Sequence, residues 1–320
     1  MRSVRGSSLA LAALALLVTT PPLRGAERVL DTTGRFPAAV GRRVFIDAGT
    51  VDVHVRAGDV HDIVVETRLH IAGVGQHKAE SWISAHTPAT DDDDDALRIT
   101  VPSEGAGFLG LGYLTARARL GVLAPPEVVP DVTTTTGAVV VRGVFPLANP
   151  LMLRTAGGAM SFEGACPAVD IHSTGGDATL HVFRSLERLV VRTSSGGVSL
   201  VGGARRVAVD TASGNVDLAN LSGAAEVQTT TGKITLSWDR LVPGDQVTVR
   251  SSSGPVELAL PAAASVRGKL TTITGTIQCA LPGTLSPDAH SVTLAGDGAT
   301  ILVETASGDI VLRPRTGLVD

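Results

Sequence analysis

The chain has 320 residues and a formal net charge of −4, with 18% charged and 3% aromatic residues. Mild acidity removes any global electrostatic case for nucleic acid or an anionic membrane surface as partner. One Tyr and two Trp leave few platforms for stacking on sugars.

Residues 1–26 read as a signal peptide. Arg2 and Arg5 give a basic start, Leu9 to Val18 an apolar run of ten, and Pro21 and Pro22 end it. That run is too short for a membrane-spanning helix. Removing the segment deletes three arginines and no acid, which takes the net charge from −4 to −7. The cut is poorly marked, because Arg24 stands where a small residue is preferred if cleavage follows Ala26.

Residues 27–123 read as a small β lead-in, with strand-like runs at 43–55, 62–71, 97–101 and 116–123. The first looks like a degenerate copy of the repeat described below, with Gly49 at its corner and Ile46 where the repeat carries Ser or Thr. Asp91 to Asp95 are five adjacent carboxylates, which repel one another and favour a solvated turn; EF-hand spacing and its glycine are absent. Gly105 to Gly112 (GAGFLGLG) lacks the Lys-Ser/Thr of a phosphate loop and reads as an apolar tip or end cap. His54, His61, His70, His77 and His86 all fall here, without the close spacing of a zinc site. Surface positions are expected for them.

Residues 124–312 carry one phrase nine times, around Gly137, Gly158, Gly176, Gly196, Gly214, Gly232, Gly254, Gly275 and Gly308. An apolar residue lies five before each glycine, Ser or Thr three before, and mostly apolar residues two and four after. The spacings are 18–22 residues, with one gap of 33. Alternation on each side predicts two short strands with one buried face each. Parity breaks at the glycine, which predicts a corner residue of positive φ, a conformation glycine adopts without a Cβ penalty. One coil buries roughly five or six side chains at about 1.5–3 kcal/mol each, while ordering its backbone costs about 1–2 kcal/mol per residue. A coil therefore cannot stand alone. Stacked about 4.8 Å apart, coils share hydrogen bonds and one apolar column. The row Thr134, Thr155, Ser173, Thr193, Thr211, Thr229, Ser251, Thr272 and Thr305 is expected to form a ladder, each hydroxyl meeting its neighbour in the next coil.

The predicted fold is an all-β, parallel β-solenoid of about nine coils, right-handed by the bias of parallel crossovers. Residues 280–291, with Pro282 and Pro287, account for the long gap as a loop leaving one face. Residues 313–320 read as a short tail with neither a sorting signal nor an apolar anchor.

Three kinds of chemistry are worth placing on this frame. Positions four before the glycine point outward, and three consecutive coils put Arg154, His172 and Arg192 there. Such a stripe suits the carboxylates or phosphates of an anionic envelope polymer. Glycoside cleavage needs convergent carboxylates; Asp217 and Glu257 share a row but stand two coils apart across Thr235, and Asp177 and Asp309 share another at a distance. Cys166 and Cys279 lie too many coils apart for a disulfide. No catalytic, cofactor or metal cluster is legible.

The repeated T-x-[ST]-G-x-[VI]-x-[LV] phrase, behind a signal peptide and a lead-in ending in LGVLAPPEV, resembles a bacterial family of candidate adhesins of unknown function. The likeness covers about residues 40–312. It implies an exported or envelope-associated β-solenoid, with adhesion or envelope-stress sensing among the roles of its members, and it supplies no catalytic residues to carry over. The lack of an anchor departs from surface-attached members. The expected function is a non-enzymatic envelope binding or adhesion-like module that is periplasmic, envelope-bound or secreted, without cofactor, nucleic acid or transmembrane span. The partner is an envelope polymer or surface protein. The alternatives are a structural protein that self-assembles through its solenoid ends, and a carbohydrate-active enzyme on a parallel β-helix.

Overall fold

The structure is a computed structural model that describes residues 26–102 and 115–315. The signal segment up to Gly25, the 105–112 loop and the last five residues of the tail lie outside the described residues. In each repeat, the strand before the glycine joins a fourteen-stranded sheet and the strand after it joins a thirteen-stranded one. Strands of successive coils pair in parallel and in register, for example Val209 with Val227 and Leu218 with Leu236. Register is dictated by burial. A one-residue slip would turn Val191, Val209, Val227, Leu200, Leu218 and Leu236, all at most 2% exposed, out of the core. One apolar column therefore runs between the two sheets from Phe36 to Leu312.

The corner glycines are needed for a reason other than the one predicted. Only Gly214 (φ 152°) and Gly232 (φ 134°) have positive φ; the other seven do not. Instead, a Cβ at any of the nine would fall within 3.0 Å of a backbone carbonyl oxygen of the coil beneath. For Gly158, Gly176, Gly196, Gly214, Gly232 and Gly254 that oxygen belongs to the preceding corner glycine. Each corner thus rests directly on the one before it, backbone on backbone, and no side chain fits between.

The hydroxyl row is also rearranged. Only Thr134 and Thr155 meet across coils, at 3.1 Å. Thr155, Ser173, Thr193, Ser251, Thr272 and Thr305 each accept the N–H of their own corner glycine three residues on, at 2.8–3.1 Å. The local bond wins because it caps a buried donor that the turn would otherwise orphan.

Chain order and stacking order part company at both ends. The coil of Ala299–Thr305 and Ile310–Pro314 does not follow Val266–Thr272 and Ile277–Cys279 in space. It inserts between that coil and the coil of Gln246–Ser251 and Val256–Leu260. The last coil in sequence is therefore interior, and Ile277–Cys279 forms the edge of the thirteen-stranded sheet at this end. The 280–291 segment contributes Gly283–Leu285, which pairs antiparallel with Ser291–Ala295; the latter in turn pairs antiparallel with Val266–Thr272, so Gly283–Leu285 becomes the edge of that sheet. At the other end the degenerate coil is real: Arg43–Asp47 and Asp52–Ala57 pair in parallel with Val129–Thr134 and Val139–Val144, and Gly49 has φ 52°. It too is inserted, because Ala96–Thr100 and Thr115–Ala124 pair in parallel on its far side.

Antiparallel strands finish that end. Asp62–Val74 pairs with Thr115–Ala124, and Ala26–Pro37, not foreseen from the sequence, pairs with Asp62–Val74. The helix Gln76–His86 was also missed, since only Ala79, Trp82 and His86 are buried on it and they do not make a strong apolar stripe. It covers Leu69 and Ile71 of the long strand. His86 is consequently buried, stacked on Trp82 at 4.2 Å between ring centroids, rather than on the surface.

Candidate binding groove

The stacking brings Arg154, His172 and Arg192 together, with Arg154 opposite His172 and His172 opposite Arg192. They lie in one open groove of about 530 Å³ on the outer face of the fourteen-stranded sheet, beside the corners. Thr174, Ser194, Gln228 and Thr230 add neutral hydrogen-bonding groups, and Asp210, opposite Arg192, ends the basic run.

Acids interleave with this stripe. Arg154 Nη1 donates to Asp131 Oδ1 at 2.5 Å, and the same carboxylate takes Arg43 at 3.2 Å. His172 Nε2 lies 3.1 Å from Asp170 Oδ1, an ion-pair distance without hydrogen-bond alignment. Arg192 has no carboxylate within 4.0 Å among the described residues. Asp131 and Asp170 stand six before their glycines, on the same outward face as the stripe. Extending the alternation by two residues would have found them.

Three of the four carboxylates tested for catalysis, Glu257, Asp177 and Asp309, have structural partners. Asp217, Thr235 and Glu257 are register neighbours as the row predicts, but Glu257 is tied to Lys233 at 2.9 Å. One residue after the corner, Asp177 and Asp309 accept backbone N–H groups of adjacent coils, from Gly197 and Thr276, both at 2.7 Å. Asn215 does the same for Lys233 at 3.0 Å. The Thr276 N–H, and then its hydroxyl, hold the Asp309 carboxyl below its ordinary value.

Among the described residues, no three His, Cys, Asp or Glu side chains converge as a metal site. Cys166 and Cys279 are unpaired, and burial pushes the Cys166 thiol up to about 12. Trp238 is fully buried and donates to the Gly223 carbonyl at 2.9 Å, so it offers no face to a sugar. No helix of the described residues is long and apolar enough to cross a membrane.

Comparison with known proteins agrees with this architecture. A candidate lipid-binding protein from Parabacteroides distasonis is similar over 89% of this chain and 97% of its own, at 13% identity and a TM-score of 0.50. A candidate adhesin from Bacteroides fragilis has the same identity and coverage with a TM-score of 0.43, and a candidate adhesin from Parabacteroides distasonis is 11% identical with a TM-score of 0.46. At such identities the likeness concerns the fold. No curated protein matches the chain. The Toastrack DUF4097 profile matches residues 42–313, the whole coil stack with its inserted end coils, and the chain belongs to the Toastrack DUF4097 family.

Proposed function

We propose that this protein is an exported, non-enzymatic binding module that works in the cell envelope or beyond it, and that its groove holds an anionic envelope polymer. The observation that carries this reading is the in-register stack of Arg154, His172 and Arg192 in one polar groove, with Arg192 left without a carboxylate among the described residues. A guanidinium fork suits carboxylate and phosphate alike, and a row repeating at strand spacing suits a polymer better than a compact small molecule. The engagement of Glu257, Asp177 and Asp309 in ion pairs and corner caps supports a binding role over catalysis. The export signal read at residues 1–26 supports a place outside the cytoplasm.

The test is capture of isolated envelope fractions and anionic glycans by the purified chain at low and moderate salt. Salt-sensitive capture is expected, and Arg154→Glu with Arg192→Glu should abolish it. Capture that persists unchanged in that variant overturns the assignment of the groove.

A further inference from the structure

A second basic cluster lies on the other sheet, beginning two coils beyond the end of this groove in the stacking order. Antiparallel pairing of Asp62–Val74 with Thr115–Ala124 sets Arg68 opposite Arg119 and His70 opposite Arg117. The alternate residues Leu69, Ile71 and Leu120 are fully buried, so these four basic side chains form a two-by-two block on the outer face. Like charges placed directly opposite each other destabilise a sheet. Nothing in the fold requires them here.

Flanking acids answer only half of the block. Arg68 Nε pairs with Asp31 at 3.1 Å and His70 Nε2 with Glu27 at 2.8 Å. Arg117 and Arg119 have no carboxylate within 4.0 Å among the described residues. Asp52, the register neighbour of Arg119 on its other side, accepts the Ala138 N–H at 2.9 Å instead. The four basic residues line a concavity of about 670 Å³, with Thr50 and Asp52 at its edge.

We propose that this block is a phosphate-binding site, in which Arg117 and Arg119 grip the anion and Arg68 and His70 complete the positive wall. Two guanidinium forks without a carboxylate among the described residues match the geometry of phosphate oxygens. The Asp52 carboxylate at the edge selects for a multiply charged group, because a single negative charge gains little there after meeting it. A phosphate ester and free pyrophosphate share the required chemistry. The site rests on residues and a sheet that the groove does not use.

Calorimetric titration of the full chain with inorganic pyrophosphate at low ionic strength tests the proposal. Binding is expected, weakened at least about tenfold by Arg117→Gln with Arg119→Gln. The Arg117→Gln/Arg119→Gln variant should melt at or above the temperature of the parent, since it relieves like-charge repulsion; a loss of affinity then cannot be a loss of fold. His54, whose pKa is lowered by burial and next by Arg119, gives a local readout. An anion on Arg119 should raise its titration midpoint, as followed by proton resonance. Capture by phosphatidylcholine vesicles doped with phosphatidic acid, lost in the same variant, assigns the phosphate to a lipid head group. Pyrophosphate binding without vesicle capture assigns it to a soluble or polymer-borne phosphate. No pyrophosphate binding, or binding indifferent to Arg117 and Arg119, overturns the site.

Discussion

The tetrapeptide TASG occurs twice, at Thr211–Gly214 and Thr305–Gly308, and it builds two different corners. At the second, Gly308 donates its N–H to Thr305 Oγ1 at 3.0 Å, and its φ lies outside the left-handed region. At the first, Gly214 takes φ 152° and its N–H reaches across to the Thr231 carbonyl at 3.1 Å. Thr211 Oγ1 is left buried without a partner. The difference comes from the neighbouring coil. Strands Arg206–Ser213 and Ala224–Thr231 continue side by side up to the glycine, pairing Ser213 with Thr231, and this draws the Gly214 N–H outward. Local sequence specifies that a corner exists; the coil stacked on it selects which corner.

The largest effect should come from valine at the two glycines. At Gly308 a side chain meets the Gly254 carbonyl, which costs about 1–3 kcal/mol as overpacking. At Gly214 it meets the Gly196 carbonyl and also forces a β-branched residue into left-handed backbone, adding about 1–3 kcal/mol. Denaturant unfolding of Gly214→Val and Gly308→Val measures the gap, and equal losses would mean that φ at Gly214 carries no weight.

The threonines come next. Thr305→Val leaves the Gly308 N–H without its acceptor in a buried corner, at a cost of about 1–3 kcal/mol. Thr211→Val removes a buried hydroxyl that bonds nothing, so stability should stay level or rise by up to about 1 kcal/mol. If both variants lose stability alike by thermal melting, the Thr211 hydroxyl has a partner and the two corners are less distinct than drawn.

The smallest effect is pH dependence one residue after each corner. The carboxyl of Asp309 is held below its ordinary value by the Thr276 N–H and then the Thr276 hydroxyl. A depressed acid contributes stability that is present above its unfolded pKa, about 3.9, and lost as pH falls through the lower folded value. Asn215, capping Lys233 in the equivalent place, does not titrate. Acidification below about pH 4 should therefore loosen the Thr276 amide and leave the Lys233 amide protected, as read by hydrogen exchange.

Much of the architecture was legible because burial repeats with the chain. Apolar residues five before and two and four after each glycine can be satisfied only by parallel coils in register, and Gly49 with Val51 and Val53 carried the same signal without the hydroxyl. The outward row of Arg154, His172 and Arg192 followed from the same alternation, and so could the acids beside it. The helix Gln76–His86 and the strand Ala26–Pro37 were not legible, because each is half exposed and takes its place only against the long strand Asp62–Val74.

By itself, the sequence determined the coil, its buried faces, the register that keeps them buried and the place of a glycine at every corner, since each of these recurs with the repeat, whereas the reason for the glycine lies in the coil beneath it. Tertiary structure alone decided the order of the coils at the two ends, the choice between the two TASG corners, the partners of the hydroxyl row and the meeting of Arg68 with Arg119. The physical reason is the near-equivalence of the repeats. A strand edge in one coil offers the same hydrogen bonds as the edge of any other, so only side-chain packing between segments distant in sequence picks which coil lies on which.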